Sequence, residues 1–131
     1  MTYECVFDSF AWADYFRGGP HAERVKEFID RGNGATPVLA IAELSAKFHR
    51  EELAGWKDAR DFILAHSSVV DLLWPVADRS GETLKQLRTR RKSAGLADAI
   101  MLETARSLGA PLLTGDIDLQ GAEGVLFLER T

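Results

Sequence analysis

Short apolar segments alternate along this chain with longer stretches of helical periodicity, and that alternation limits the fold more than any other feature. Residues 4–8 read as a first strand, with Asp8 at its carboxyl end. Ser9 suits a helix N-cap, and a helix follows to about Arg17, where Gly18-Gly19-Pro20 breaks the chain. A second helix spans residues 21–31, with Val25, Phe28 and Ile29 on one face, and ends at the turn Gly32-Asn33-Gly34. Residues 36–39 read as a second strand, followed by a helix carrying Ile41, Leu44 and Phe48 and another over residues 55–66. Residues 68–72 form a third strand closed by Trp74-Pro75, before a helix from Asp78 to about Lys92. After Ser93-Ala94-Gly95 the spacing predicts a helix over residues 96–108, a strand over 110–114 and a last strand over 125–128. The expected fold is α/β: one domain of 131 residues, with a central, mostly parallel sheet of four or five strands flanked by helices.

In such sheets ligands bind beyond the carboxyl ends of the strands. Asp8 and Asp116 fall there. Glu43 is expected in the first turn of the helix after the second strand, and Asp98 in the first turn of its own helix. Taken singly, each acid has an ordinary explanation. Asp8 could be a strand-to-helix corner, Glu43 a solvated helix position, Asp98 a helix-dipole partner and Asp116 an N-cap. Four acids aimed at one edge are harder to explain that way. Crowded carboxylates raise one another's pKa unless a counter-charge is present, and a divalent cation supplies one. Oxygen ligands without histidine or cysteine suit Mg²⁺ or Mn²⁺, ions that activate water and stabilise charge building on a phosphodiester. Asp118 is either a further ligand or a solvated turn acid.

Val6-Phe7-Asp8-Ser9-Phe10-Ala11-Trp12, Ala42-Glu43-Leu44, Leu96-Ala97-Asp98-Ala99-Ile100 and Leu113-Thr114-Gly115-Asp116-Ile117-Asp118 follow one another in an order and spacing that resembles the PIN-domain family, in its VapC-type toxin branch. The resemblance runs over nearly the whole chain and implies a single PIN-like nuclease domain over residues 1–131. It implies a Mg²⁺- or Mn²⁺-dependent endoribonuclease that hydrolyses RNA phosphodiester bonds, works as a homodimer and is paired with an antitoxin protein. The four family acids carry over to Asp8, Glu43, Asp98 and Asp116, and Ser9 and Thr114 match hydroxyl positions beside the site, where they are expected to meet substrate. The implied reaction is in-line attack by a water, leaving a 5′-phosphate and a 3′-hydroxyl. Asp8, Asp98 and Asp116 would hold the metal, and Glu43 a second metal or the water. Leu119 stands where an aromatic is common, and Gly115 where a longer residue is often found; neither departure removes an acid.

Arg88, Arg90, Arg91 and Lys92 form the one dense basic run. It reads either as a solvated helix end or as a rim, with Arg90 and Arg91 foremost, that grips RNA phosphates. Trp12, Tyr15 and Phe16 read as core or, alternatively, as an apolar groove for a partner. His21, His49 and His66 have no metal-ligand spacing and read as surface or helix-end residues. Two other functions fit parts of the pattern. A phosphatase with an aspartate nucleophile needs a second aspartate two residues after Asp8, where Phe10 stands. A phosphoacceptor domain needs a lysine after a late strand, and no lysine follows Lys92. A nuclease-like scaffold that binds a partner without catalysis also remains open. The formal net charge of -4 argues against broad adhesion to nucleic acid, though not against a local basic patch. Cys5 is the only cysteine, so no internal disulfide and no thiolate zinc site can form. With no basic-then-apolar leader and no apolar run long enough for a bilayer, a cytoplasmic location is expected.

Overall fold

The computed structural model describes residues 2–129. Strand β1 (Cys5–Phe7) leads into α1 (Ser9–Phe16) and α2 (Ala22–Arg31). Strand β2 (Gly34–Pro37) leads into α3 (Val38–Arg50) and α4 (Trp56–His66), and β3 (Ser68–Val70) into α5 (Trp74–Arg88) and α6 (Leu96–Ser107). Strand β4 (Leu112–Thr114), a 3₁₀ turn (Ile117–Leu119) and β5 (Val125–Phe127) complete the chain. All strand pairs are parallel, and the spatial order is β3-β2-β1-β4-β5. This is the α/β architecture that the alternation predicts, with five strands. Among the described residues no helix is long and apolar enough to cross a membrane.

The topology fixes where a ligand can sit. From β1 the chain builds outward through β2 to β3, then returns to the other side of β1 for β4 and β5. The direction of winding therefore reverses between β1 and β4, and a crevice opens at the carboxyl ends of those two strands. Helices cover both faces of the sheet, so the central strands are buried on both sides and read as unbroken apolar runs. Val6 and Leu112 face one apolar cluster with Met101 and Leu102 of α6. Phe7 and Leu113 face the other, with Trp12, Phe28 and Ile63. Burial pushes the Cys5 thiol up to about 12, with the Glu4 carboxylate adding to the effect, so it behaves as a small apolar core residue.

Four local expectations are corrected. The second strand occupies Gly34–Pro37 rather than residues 36–39, because α3 begins at Val38. Pro37 ends the strand in extended conformation, where a missing donor does least harm, and caps the helix. Trp74-Pro75 opens α5 instead of closing β3, since a proline fits the first turn of a helix. That helix ends at Arg88, so Arg90, Arg91 and Lys92 lie in the loop before α6. Ser9 is not the cap of α1; Asp8 is, and its Oδ1 accepts from the Ser9 amide at 2.8 Å.

Trp12 belongs to the core and not to a groove. It is fully buried among Tyr15, Phe16 and Phe62, with ring centroids in this group 5.6 to 6.2 Å apart. Its indole Nε1 donates to Thr36 Oγ1 at 3.0 Å. Ser67 Oγ donates to the Ile63 carbonyl at 2.8 Å, so Thr36 supplies the hydrogen in its own 2.8 Å contact with Ser67. A directed chain thus runs from α1 through β2 to the end of α4. Trp12→Ala should lower unfolding free energy by roughly 3–5 kcal/mol, and Trp12→Phe by clearly less, since Phe keeps an aromatic ring among Tyr15, Phe16 and Phe62. Urea denaturation measures both, and a Trp12→Ala variant as stable as the parent would overturn the core placement.

Candidate metal centre and cleft

Each acid reaches the crevice by a different local device. Asp8 follows β1 and caps α1. Asp116 follows β4 and caps the 3₁₀ turn, its Oδ1 accepting from the Asp118 amide at 2.9 Å. Asp98 stands in the first turn of α6 and accepts from the Gly95 amide at 2.9 Å through Oδ2. Glu43 lies in the second turn of α3 rather than the first, because that helix starts earlier than the apolar pattern implied. Its Oε1 accepts from Ser9 Oγ at 2.9 Å, which ties α3 to the start of α1.

These four acids line one cleft of about 390 Å³. The tightest grouping within reach of it is Asp98, Asp116 and Asp118, which can place one carboxylate oxygen each within 4.8 Å of one another. Asp118 also accepts from Ser93 Oγ. Among the described residues no lysine, arginine or histidine forms an ion pair with any of the five acids. A crowded, unpaired, all-oxygen donor set fits a hard divalent cation such as Mg²⁺ or Mn²⁺ and offers nothing to a thiophilic one.

The electrostatics agree with that chemistry. Burial pushes the Asp8 carboxyl up to about 7, opposed by the Thr114 hydrogen bond and reinforced by the charges of Glu43 and Asp116. Asp98 rises to about 6, chiefly by burial, with the Gly95 amide opposing and Asp116, Asp118 and Glu43 adding. Thr114 Oγ1 donates to Asp8 Oδ2 at 2.6 Å and accepts from the Asp116 amide at 3.0 Å. Thr114 is fully buried, and its hydroxyl contacts two of the acids.

Arg90 and Arg91 do not enter the acidic cleft. They line a neighbouring one of about 210 Å³, which Asp118 borders and Gly121 closes against the Arg90 guanidinium. Residues to which sequence reasoning gave no role in the site lie in the acidic cleft itself: Phe10, Lys47 and Arg50. Lys47 and Arg50 follow Glu43 by four and seven positions on one helix, a spacing that would have found them. Of the histidines, His49 and His66 are exposed as expected, but His21 is buried against Asp14. Phe10 packs where a phosphatase would need its second aspartate, and a Cβ on Gly115 would collide with its ring.

A five-stranded parallel α/β domain with clustered carboxylates at its switch point is the architecture defined so far. The profile of the PIN domain matches residues 5–124, and the chain belongs to that family. Its fold is shared with a toxin–antitoxin complex from Klebsiella pneumoniae, at 22% identity and a TM-score of 0.72, covering 97% of this chain and 99% of that one. It is also similar to VapC20 from Mycobacterium tuberculosis, described as a sarcin-ricin loop cleaving toxin, at 16% identity and a TM-score of 0.71, over 97% and 99% of the two chains. A third similar structure is FitAcB from Neisseria gonorrhoeae, at 20% identity and a TM-score of 0.69, over 94% and 96%. A search among curated proteins gives no significant match.

Asp8 and Asp98 hold protons more tightly folded than unfolded, so their contribution favours the fold at low pH and is lost as pH rises through about 6 and 7. For fully buried Asp8 that loss is on the order of 4 kcal/mol by pH 8. Melting temperatures in EDTA should therefore fall between pH 5 and pH 8, and Mg²⁺ or Mn²⁺ should restore them at pH 8. Asp8→Asn should flatten the fall and blunt the metal response. A pH profile identical to the parent's would place the acid elsewhere.

Proposed function

We propose that this protein is a Mg²⁺- or Mn²⁺-dependent endoribonuclease, the toxin of a toxin–antitoxin pair. The observation that carries the reading is the set of four carboxylates without a cationic partner around one cleft at the sheet's switch point, with Asp118 grouped beside Asp98 and Asp116. Membership of the PIN domain family, whose toxin members are nucleases, supports it. Asp8, Asp98 and Asp116 would hold the ion, with Asp118 beside them and Glu43 facing from α3. When bound, the ion supplies Lewis-acid stabilisation of charge on a phosphodiester and lowers the pKa of a water.

The protein's own groups do the rest. Thr114 holds Asp8 and the Asp116 backbone in register, and Ser9 orients Glu43 toward the cleft. Glu43, half-buried and paired with no cation, would hold a second ion or the attacking water. Arg90 and Arg91 would grip RNA phosphates on the Asp118 side. The protein would act in the cytoplasm as a homodimer. Its antitoxin would silence it by covering the cleft, and an arginine laid among the acids would pair with them bidentately.

RNA cleavage dependent on Mg²⁺ or Mn²⁺ is the direct test. Asp98→Asn and Asp116→Asn should each reduce kcat by about a hundredfold or more, since even residues behind a metal ligand commonly cost ten- to a hundredfold. Asp118→Asn should cost less than Asp116→Asn. Equal or reversed losses would shift the ligand set toward Asp118, and full activity in Asp98→Asn would end the nuclease reading of this cleft.

The basic loop is tested separately. Arg90→Ala with Arg91→Ala should weaken RNA binding and flatten its dependence on salt by about two phosphate contacts, with single-turnover cleavage of bound RNA retained. An unchanged salt slope would return both arginines to the solvated-face reading.

A further inference from the structure

We infer that Phe10, together with Lys47 and Arg50, forms a nucleotide-binding subsite in the acidic cleft, in which a substrate base stacks on the Phe10 ring and a neighbouring phosphate meets the two cations. The inference rests on the nuclease reading of the acids and deepens it by naming what lies beside the scissile bond. A metal centre needs oxygen donors. It has no use for the apolar and cationic part of the same cleft, where Phe10, Ala13 and Ala46 meet Lys47 and Arg50. A single-stranded nucleic acid needs both kinds of surface, because bases stack on aromatic rings and phosphates pair with cations.

The ring is held in place from behind. Gly115 lies against it so closely that any side chain there would collide with Phe10. The His21 ring meets it edge-on, with centroids 5.7 Å apart and planes at 63°. His21 is fixed in turn by Asp14, whose Oδ2 accepts from the His21 backbone amide at 2.7 Å and lies 3.2 Å from its Nδ1. Asp14 is almost fully buried and takes two further hydrogen bonds from Arg17, at 3.0 and 2.6 Å. A hydrogen-bonded network centred on buried Asp14 thus braces the wall on which Phe10 rests, while Phe10 itself stays only partly buried and faces the cleft. A stacking surface fixed before binding loses little freedom when a base arrives.

The cations are placed by helix geometry. Glu43, Lys47 and Arg50 share one face of α3, so the two cations rise along the helix from the acid. Both pair with the same carboxylate, Glu51, at 2.8 and 3.4 Å, which leaves one positive charge uncompensated. That surplus suits a phosphate.

The test uses two probes with identical phosphates: the tetranucleotide rA₄ and a base-free ribose-phosphate tetramer. Both are titrated with Ca²⁺ replacing Mg²⁺ so that turnover is slowed. The parent should bind rA₄ roughly tenfold or more tightly than the base-free tetramer. Phe10→Leu should abolish that preference with little change toward the base-free tetramer, and Phe10→Tyr, which keeps the ring, should retain it. Lys47→Ala and Arg50→Ala should weaken both probes alike and preserve the ratio. Equal affinities in the parent, equal loss on both probes in Phe10→Leu, or no binding of either probe would overturn the subsite. Cleavage of a 12-mer RNA by the parent in Mg²⁺ reads the nuclease proposal independently. Cleavage without a base preference removes the subsite alone, whereas a base preference without cleavage supports the subsite and removes the nuclease.

Discussion

The Thr114 hydroxyl donates to Asp8 at 2.6 Å while accepting from the Asp116 amide at 3.0 Å, and the acidic cleft depends on that double contact. It joins the ends of β1 and β4, the two strands between which the sheet changes direction. The position demands a group that gives one hydrogen and takes another. A carboxylate there would repel Asp8, and an apolar side chain would leave the Asp8 oxygen dry and unpartnered. A β-branched hydroxyl residue has the further merit of a stiff χ1 in an extended segment, so the donor is aimed before any ligand arrives. The bond also offsets part of the burial that pushes Asp8 up to about 7. Without it the group would stay protonated further into the neutral range and would make a poorer ligand.

The acids serve the fold and the cleft together. Asp8 caps α1, Asp116 caps the 3₁₀ turn and Asp98 takes the Gly95 amide at the start of α6. For these three aspartates the ordinary explanation is therefore true, and it does not compete with the chemical one. Backbone amides at helix starts and side-chain hydroxyls hold these carboxylates without adding a mobile counter-ion to the cleft. That is how several like charges are kept close in a folded chain that has not yet bound a cation. The capping is incomplete for Asp8 and Asp98, whose carboxyls are still held above the usual range by burial.

Much of this could be read from the sequence because parallel α/β sheets expose their logic. Strands buried on both faces appear as apolar runs, and acids that end such runs stand out. The readings that failed were those where one signal had two meanings. Pro37 and Pro75 mark a strand end and a helix start equally well, and only the packing of α3 and α5 decides. Helix α1 is apolar on nearly every side, so its periodicity could not say which way Trp12 faces. Phe10 was legible only as a missing aspartate, because its role depends on Gly115, more than a hundred residues away. The Asp14–His21 network was not legible at all, since it depends on how residues 18–20 fold back over α1.

The charge distribution joins these parts into one argument. A chain with a formal net charge of -4 repels a polyanion at long range, so any grip on RNA must be local. The cations that flank the acids are Lys47 and Arg50 on one side and Arg90 and Arg91 on the other. The acids between them oppose the same polyanion until their charge is neutralised. On the nuclease reading, cation binding and RNA binding are therefore linked with a definite sign: each strengthens the other by the same factor. On the same reading the flanking pairs would bring the strand across the acids, and the acids would reject it unless they carried an ion. A cleft built this way would discriminate against unproductive binding with no moving part. On the nuclease reading that selectivity would reside in five carboxylates set between two pairs of cations.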